Sequence, residues 1–443
     1  MAARRGLSRL LPAGGFGRGL VVLAGGMALG QAVAVCASPV LTRLYTPGEL
    51  GILTACLSLV SIVATAGALC YDVAIPVPPE DVAGANLLAL ALVLVSATSL
   101  LAALALRVLG SLTGLFAGLP AVRPFLWFVP LGLLAVGYTG AFQQWTVRKR
   151  AFGHLARGKL SQNAGQVLAQ SAMGLLRIGP LGLLLGDAMG RFGALGMLAV
   201  LAWRRDAREL RQVSLRGMKQ VAARYRRFPL FSSAGNLLNS LGLELPALLL
   251  ASLYGPQMVG WMALGQRVMV LPLNLIVSPL SQVFVGESAR IVHSEPERLW
   301  PLLCKMMAGV LALALPYILL LALLAPALFP VVFGPAWREA GVYLRILAPM
   351  VLLQSVANPT GGTLDILQRQ DLHLMREITR TFLVSGAILL AGSRQIAPRA
   401  AVGLYSAAGT VIYVLYLCIS VYAVRSWRAG TPESAAGERS EAT

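Results

Sequence analysis

Charge is scarce in this chain. Only 12% of its 443 residues are Asp, Glu, Lys or Arg, while 57% are apolar and the mean hydropathy is +0.73. Soluble domains carry about a quarter charged residues, so a water-surrounded domain is excluded for most of the length. Histidine is rarer still: His154, His293 and His373 are the only three, none beside a Ser or Cys in a nucleophile setting. The five cysteines, Cys36, Cys56, Cys70, Cys304 and Cys418, include no CxxC pair and no histidine at ligand spacing. No disulfide framework, metal or cofactor is expected from them. A GxxxxGK[ST] phosphate loop is also missing, which argues against nucleotide hydrolysis. No connection between apolar runs is long enough for a soluble catalytic domain, so an enzyme is not expected.

What is abundant is long apolar sequence. A helix needs roughly 20 mostly apolar residues to cross the hydrocarbon of a bilayer. Windows of that length predict about twelve transmembrane helices, at 19–41, 50–71, 83–106, 124–146, 157–178, 181–203, 229–253, 260–283, 300–325, 340–363, 378–396 and 400–424. The expected fold class is an all-α polytopic membrane protein. The first run follows Arg4, Arg5 and Arg9 and has the outline of a secretory signal. It is long enough to span and is followed by eleven more, so it reads as an uncleaved first helix. The tail after Trp427 is polar and is predicted to be disordered.

The net charge of +19 raises the possibility of nucleic acid, but the basic residues form no dense tract with interleaved aromatics. They concentrate instead in the tails and in alternate loops. With the N-terminus inside, most of the 37 Lys and Arg residues fall on the cytoplasmic side. Both termini are therefore expected in the cytoplasm. The richest segment, Arg204 to Arg227, lies between the sixth and seventh spans. Its main expected role is as a topology signal, with contact to anionic lipid heads as an alternative.

That connection divides the helices into two sets of six. The expected domains are an N-terminal tail (1–18), an N-lobe (19–203), a basic connector (204–228), a C-lobe (229–424) and a C-terminal tail (425–443). An internal match supports the division. Leu44-Tyr45-Thr46-Pro47 followed by Gly51 recurs as Leu253-Tyr254-Gly255-Pro256 followed by Gly260, each between the first and second helices of its set. Parallel repeats related by an axis along the membrane normal are a transporter design, with the substrate path between the halves.

Polar side chains at membrane depth are costly and mark pathways or helix contacts. In the fifth span Gln162, Gln166 and Gln170 follow at i,i+4 with Asn163 beside them; in the seventh, Asn236, Asn239, Ser240 and Glu244 make a second stripe. The eighth carries Gln266, Arg267, Asn274, Ser278 and Gln282, and the tenth Gln354 and Asn358. Together the stripes suggest a wet path suited to sugar hydroxyls; singly, each amide is more readily a link between helices. Arg191 and Arg267 lie near mid-depth and are suited to an anionic group such as a pyrophosphate. Arg191 has an alternative: Asp187, four residues earlier, is placed to neutralise it. Asp187 and Glu244 are the deepest acids and the candidates for carrying a coupling proton or cation.

Several segments then point to a known family. SPVLTRLYTPGELG (Ser38 to Gly51), the run from Arg224 to Leu273, SQVF (Ser281 to Phe284) and FGPAWREAGVYLRILAPM (Phe333 to Met350) resemble the bacterial polysaccharide flippases of the multidrug/oligosaccharidyl-lipid/polysaccharide exporter superfamily. The resemblance covers nearly the whole chain. It implies twelve to fourteen helices in two lobes around a cationic cavity, and translocation of undecaprenyl-pyrophosphate-linked repeat units from the cytoplasmic to the periplasmic face. It also implies a role for Arg43, the arginine of LTRLY, near the outer mouth. The chain departs from the family pattern at Cys70, where an arginine often precedes the Tyr-acid pair Tyr71-Asp72. The expected activity is lipid-linked oligosaccharide flipping by alternating access for surface polysaccharide synthesis, with membrane lipids, a polysaccharide polymerase and a chain-length regulator as partners. The alternatives are a multidrug/cation antiporter of the same superfamily and a non-transporting scaffold of a polysaccharide synthesis complex.

Overall fold

The structure is a computed structural model that describes residues 15–112, 118–229, 233–367 and 369–427. Most of the expected N-terminal tail and the tail from 428 onward lie outside the described residues. The described residues form helices and turns with no strand. Twelve helices of 21 or more residues follow one another, one for each predicted span. They are α1 (Gly15–Cys36), α2 (Pro47–Gly67), α3 (Asp81–Leu112), α4 (Phe128–Arg148), α5 (Phe152–Leu175) and α6 (Pro180–Leu210), then α7 (Ser233–Tyr254), α8 (Pro256–Ser294), α9 (Leu299–Phe333), α10 (Arg338–Ile366), α11 (Gln370–Ser393) and α12 (Pro398–Ser426).

Among the described residues eight of these, α2, α3, α6 to α10 and α12, are long and apolar enough to cross a membrane on their own composition. The others include α5 with its glutamines and α11 with Arg376, Glu377 and Arg380, whose polar groups lower hydropathy while leaving length untouched. Large apolar side chains such as Leu100, Leu101, Leu323, Val331 and Phe382 are more than half exposed on the helix faces. Hydrocarbon rather than water is the medium in which such surfaces rest.

Helix starts follow local chemistry. Thr46 caps α2: its hydroxyl accepts from the Glu49 amide, and the Glu49 carboxylate accepts from the Thr46 amide at 2.7 Å. This reciprocal box satisfies amides that the first turn leaves unpaired. In the second copy of the repeat the same position is Gly255 at φ +86°, which a side chain would strain. Both copies then continue with Pro at the first helical position, where its missing N–H costs nothing.

The basic connector is more regular than a loop. α6 continues to Leu210, with non-helical backbone at Asp206 (φ −117°, ψ 23°), and a short helix follows over Leu215–Arg224. Ser214 caps that helix through the Gly217 amide, and Val221 is buried. The connector is tied down by Asn86, which accepts from the Ser214 amide at 3.1 Å, and by Tyr71, which donates to Ala222 O at 3.0 Å.

The chain forms two compact units. Unit 1 comprises residues up to Arg267 together with Ala327–Ala340; unit 2 comprises Val268–Pro326 and Gly341 onward. In unit 1, α5 packs against α1 and α6, while α3 packs against α4 over a core that includes Ile75, Leu87, Ala91, Val95 and Trp145. Glycines bring α6 close to α5: a methyl on Gly182, Gly186 or Gly190 would collide with Met173, Gln170 or Gln166. Such small-residue faces let helices approach in a medium where apolar burial alone gives no drive. In unit 2, α11 packs on α12, and Phe284, Ile291, Leu299, Leu303, Leu364 and Val424 belong to its core.

Within unit 1 the two repeat copies meet. A methyl on Gly51 would overlap the carbonyl oxygen of Pro256, and a methyl on Gly260 would overlap the carbonyl oxygen of Pro47. The contact is reciprocal, each glycine of one copy lying on the proline carbonyl of the other, as in a two-fold interface.

Candidate functional site

The polar residues of unit 1 converge near the first repeat copy. A cavity of about 30 Å³ is lined by Ser38, Thr42, Tyr45, Gln166, Gln170 and Arg267, with Trp337 and apolar side chains completing it. That volume holds about one water molecule. The walls are held by hydrogen bonds rather than by apolar packing alone. Tyr45 Oη donates to Gln170 O at 2.8 Å, Gln170 Nε2 donates to Leu183 O at 2.9 Å, and Trp337 Nε1 donates to Thr42 O at 2.9 Å.

Arg267 is the charge in this cavity. Its Nη2 donates to the Ala34 carbonyl at 3.1 Å, an oxygen that also accepts from Ser38 Oγ at 2.9 Å. Among the described residues no carboxylate forms an ion pair with it. A backbone carbonyl satisfies one donor of the fork but does not neutralise the charge, so this guanidinium retains its capacity for an anion.

Arg191 is different. Its Nε and Nη2 donate to the two oxygens of Asp187 at 2.7 and 3.3 Å, closing the i,i+4 pair, with the Asp187 side chain only 2% exposed. The structure therefore brings Arg191 to an acid and Arg267 to none. Glu244 meets Ser58, whose Oγ donates to Oε2 at 2.7 Å, linking α7 to α2.

The amides divide in role. Gln162 and Gln170 are buried, and among the described residues the Gln162 side-chain oxygen has no hydrogen-bond partner; Gln166 lines the cavity. Asn236 is exposed and donates to Cys70 Sγ at 3.5 Å, as does Ser233. Asn239 is part-buried on the same helix. Arg43 is exposed at the end of the short helix Ser38–Leu44 and is not among the cavity residues. Asn274 and Asn358 are exposed, and Gln354 part-buried, in unit 2.

Sequence reading missed two charged groups. One is Lys159, part-buried on α5. The other, in unit 2, gathers around Glu377 on α11. Arg376 Nη2 lies 3.2 Å from its Oε1 and Arg380 Nη2 2.6 Å from its Oε2, while His373 Nε2 is 3.9 Å away. The Arg376 guanidinium also stacks 4.4 Å from the Tyr416 ring centre. All three charged residues are over 90% buried. The signal was present as Arg, Glu and Arg within one turn and a half, but hydropathy windows place them at the edge of a span, where such residues ordinarily reach water.

A further ionic cluster sits at the end of α4. Asp81 accepts from Arg148 and Lys149, and Lys149 also meets Asp206 at 3.6 Å and Glu209 at 3.2 Å. Desolvation works against the Lys149 charge, but the hydrogen bonds it donates to Asp81 and Glu209 outweigh it and raise its pKa above the ordinary lysine value.

Twelve long helices with apolar outer faces and ionisable groups held at depth define a multi-pass α-helical membrane protein. The particular family follows from comparison. The model of the family described as "Polysaccharide biosynthesis protein" matches residues 40–342, and the chain belongs to that family. It is 29% identical over 166 residues to the lipopolysaccharide biosynthesis protein WzxC of Escherichia coli (strain K12), a stretch that is 38% of this chain and 34% of that protein. It is 23% identical over 136 residues to the amylovoran biosynthesis protein AmsL of Erwinia amylovora, 31% of this chain and 34% of that one. The matched stretches thus span about a third of the length of these relatives. By fold it is similar to the lipid II flippase MurJ in an inward closed conformation (TM-score 0.69, 10% identity, 91% of this chain and 87% of that one). It is also similar to the multidrug transporter DinF-BH (TM-score 0.61, 16% identity, 91% and 94%). The family resemblance read from the sequence is borne out, as is the all-α polytopic fold.

Proposed function

We propose that this protein is a flippase that carries an undecaprenyl-pyrophosphate-linked oligosaccharide from the cytoplasmic to the periplasmic face of the inner membrane. The observation that carries the reading is Arg267: a guanidinium with no ion pair among the described residues, set in an amide-lined cavity of a polysaccharide biosynthesis family member. Arg267 meets the pyrophosphate, and Gln166 offers its amide to sugar hydroxyls, while Gln170, held by the Leu183 carbonyl, shapes the wall. Arg191 contributes through its pair with Asp187, and Arg43 acts at the outer mouth. Two six-helix lobes, 19–203 and 229–424, rock against each other; the reciprocal contact of the two repeat copies supports this symmetry. Glu244 carries a coupling proton or cation, with both termini in the cytoplasm. A polymerase and a chain-length regulator receive the product.

The test is deletion of the gene in its host, with lipid-linked oligosaccharide measured on the cytoplasmic face and polysaccharide measured at the surface. Accumulation inside and loss outside, restored by wild type but not by Arg267→Ala, is the expected result. Unchanged lipid-linked pools with altered drug tolerance would point to an antiporter. Full rescue by Arg267→Ala would point to a scaffold.

A further inference from the structure

Lys159 is a second cation on the face that builds the Arg267 cavity. It precedes Gln166 by seven residues and Gln170 by eleven on the same helix, α5. At about 100° per residue it projects between them, within about 20° of each. At about 1.5 Å per residue it lies about 10 to 16 Å along the helix axis from those two glutamines. Lys159, Gln166 and Gln170 therefore form one line, with a cation at one end and the Arg267 cavity at the other.

The surroundings of Lys159 leave its charge uncompensated. Among the described residues the ionised group that acts on it is Arg191, also a cation. The acid of that neighbourhood, Asp187, is occupied by Arg191 through both Nε and Nη2. Among the described residues Lys159 forms no ion pair, although its side chain is part-buried and α1 packs closely on this stretch, with Gly30 lying against the Lys159 carbonyl and Asn163. An ammonium part-buried with no ion pair among the described residues calls for an anion.

We propose that Lys159 and Arg267 are successive contacts for the diphosphate of the transported lipid, spaced along α5 so that the head group leaves one cation for the other. The proposal rests on the flippase reading and adds a residue to it. An ammonium on a flexible stem suits a transient contact, because it offers a point charge without the fixed fork that an arginine presents. The competing account is a lysine whose stem merely reaches the membrane interface.

The test uses the purified full-length protein in lipid nanodiscs with farnesyl diphosphate as probe and farnesol as its uncharged control. Wild type is expected to bind the diphosphate more tightly than farnesol. Lys159→Met is expected to weaken diphosphate binding about tenfold, the effect of losing one charge-assisted contact. Lys159→Arg should stay close to wild type, and farnesol binding should be unchanged in both. Lys159→Gln, which keeps a polar stem and loses the charge, should behave as Lys159→Met and covers the case in which the methionine variant fails to fold. Diphosphate binding by Lys159→Met and Lys159→Gln equal to wild type would overturn the role of Lys159 while leaving the flippase reading intact. Absence of any diphosphate preference in wild type would overturn both.

Discussion

Gly51 and Gly260 occupy the same place in two copies of one sequence pattern, and each lies against the carbonyl oxygen of the proline that opens the other copy's helix. Neither position has space for a methyl group. The pattern LYxPxxxG thus encodes a contact with itself: the proline starts the helix, and one turn later the glycine admits its partner.

Gly51→Ala and Gly260→Ala are each expected to destabilise the protein by about 1 to 3 kcal/mol, the range for forcing a methylene into a packed site. Because both act on one contact, the double variant should cost less than the sum of the singles. Thermal unfolding in detergent, read for all three variants, checks both the sign and the non-additivity.

Breaking the Asp187–Arg191 pair should expose how much of it is structural. Asp187→Asn leaves a guanidinium without its buried acid, and a loss of about 3 kcal/mol is expected. Asp187→Leu combined with Arg191→Met removes both charges and should recover most of that loss. A double variant that is stable yet inactive in surface polysaccharide rescue would give the pair a part in transport.

At Tyr416 the ring is expected to matter more than the hydroxyl. The ring faces the Arg376 guanidinium, whereas the hydroxyl makes long contacts of 3.4 and 3.5 Å to Arg376 O and Glu377. Tyr416→Phe should therefore cost under about 1 kcal/mol and Tyr416→Ala about 3 to 5 kcal/mol. Equal losses in the two variants, measured by thermal unfolding, would contradict a role for the ring.

His154 gives an acid-side pH dependence. Burial lowers its pKa below the ordinary histidine value, and Arg205 and Arg157 lower it further. A depressed pKa favours the neutral ring in the folded state. Its contribution is therefore present above about pH 6.5 and is lost as pH falls through the folded value. The melting temperature of wild type should drop more between pH 7 and pH 5 than that of His154→Asn, and parallel curves would exclude the effect.

The sequence by itself determined the number and order of the long helices, because hydrocarbon demands about 20 apolar residues per crossing and leaves little freedom in where they lie. It also determined the starts of α2 and α8, whose proline positions and cap residues act locally, and it named Arg267, Gln166 and Gln170 by depth and spacing. Only the tertiary structure decided which of those residues share a cavity, that Arg191 is paired with an acid while Arg267, among the described residues, is not, and that Arg376, Glu377 and Arg380 are buried together. Hydropathy registers how deep a residue lies along its own helix. Which neighbour faces it is set by helix rotation and packing, and those depend on small residues such as Gly51, Gly186 and Gly260 meeting partners far away in the chain.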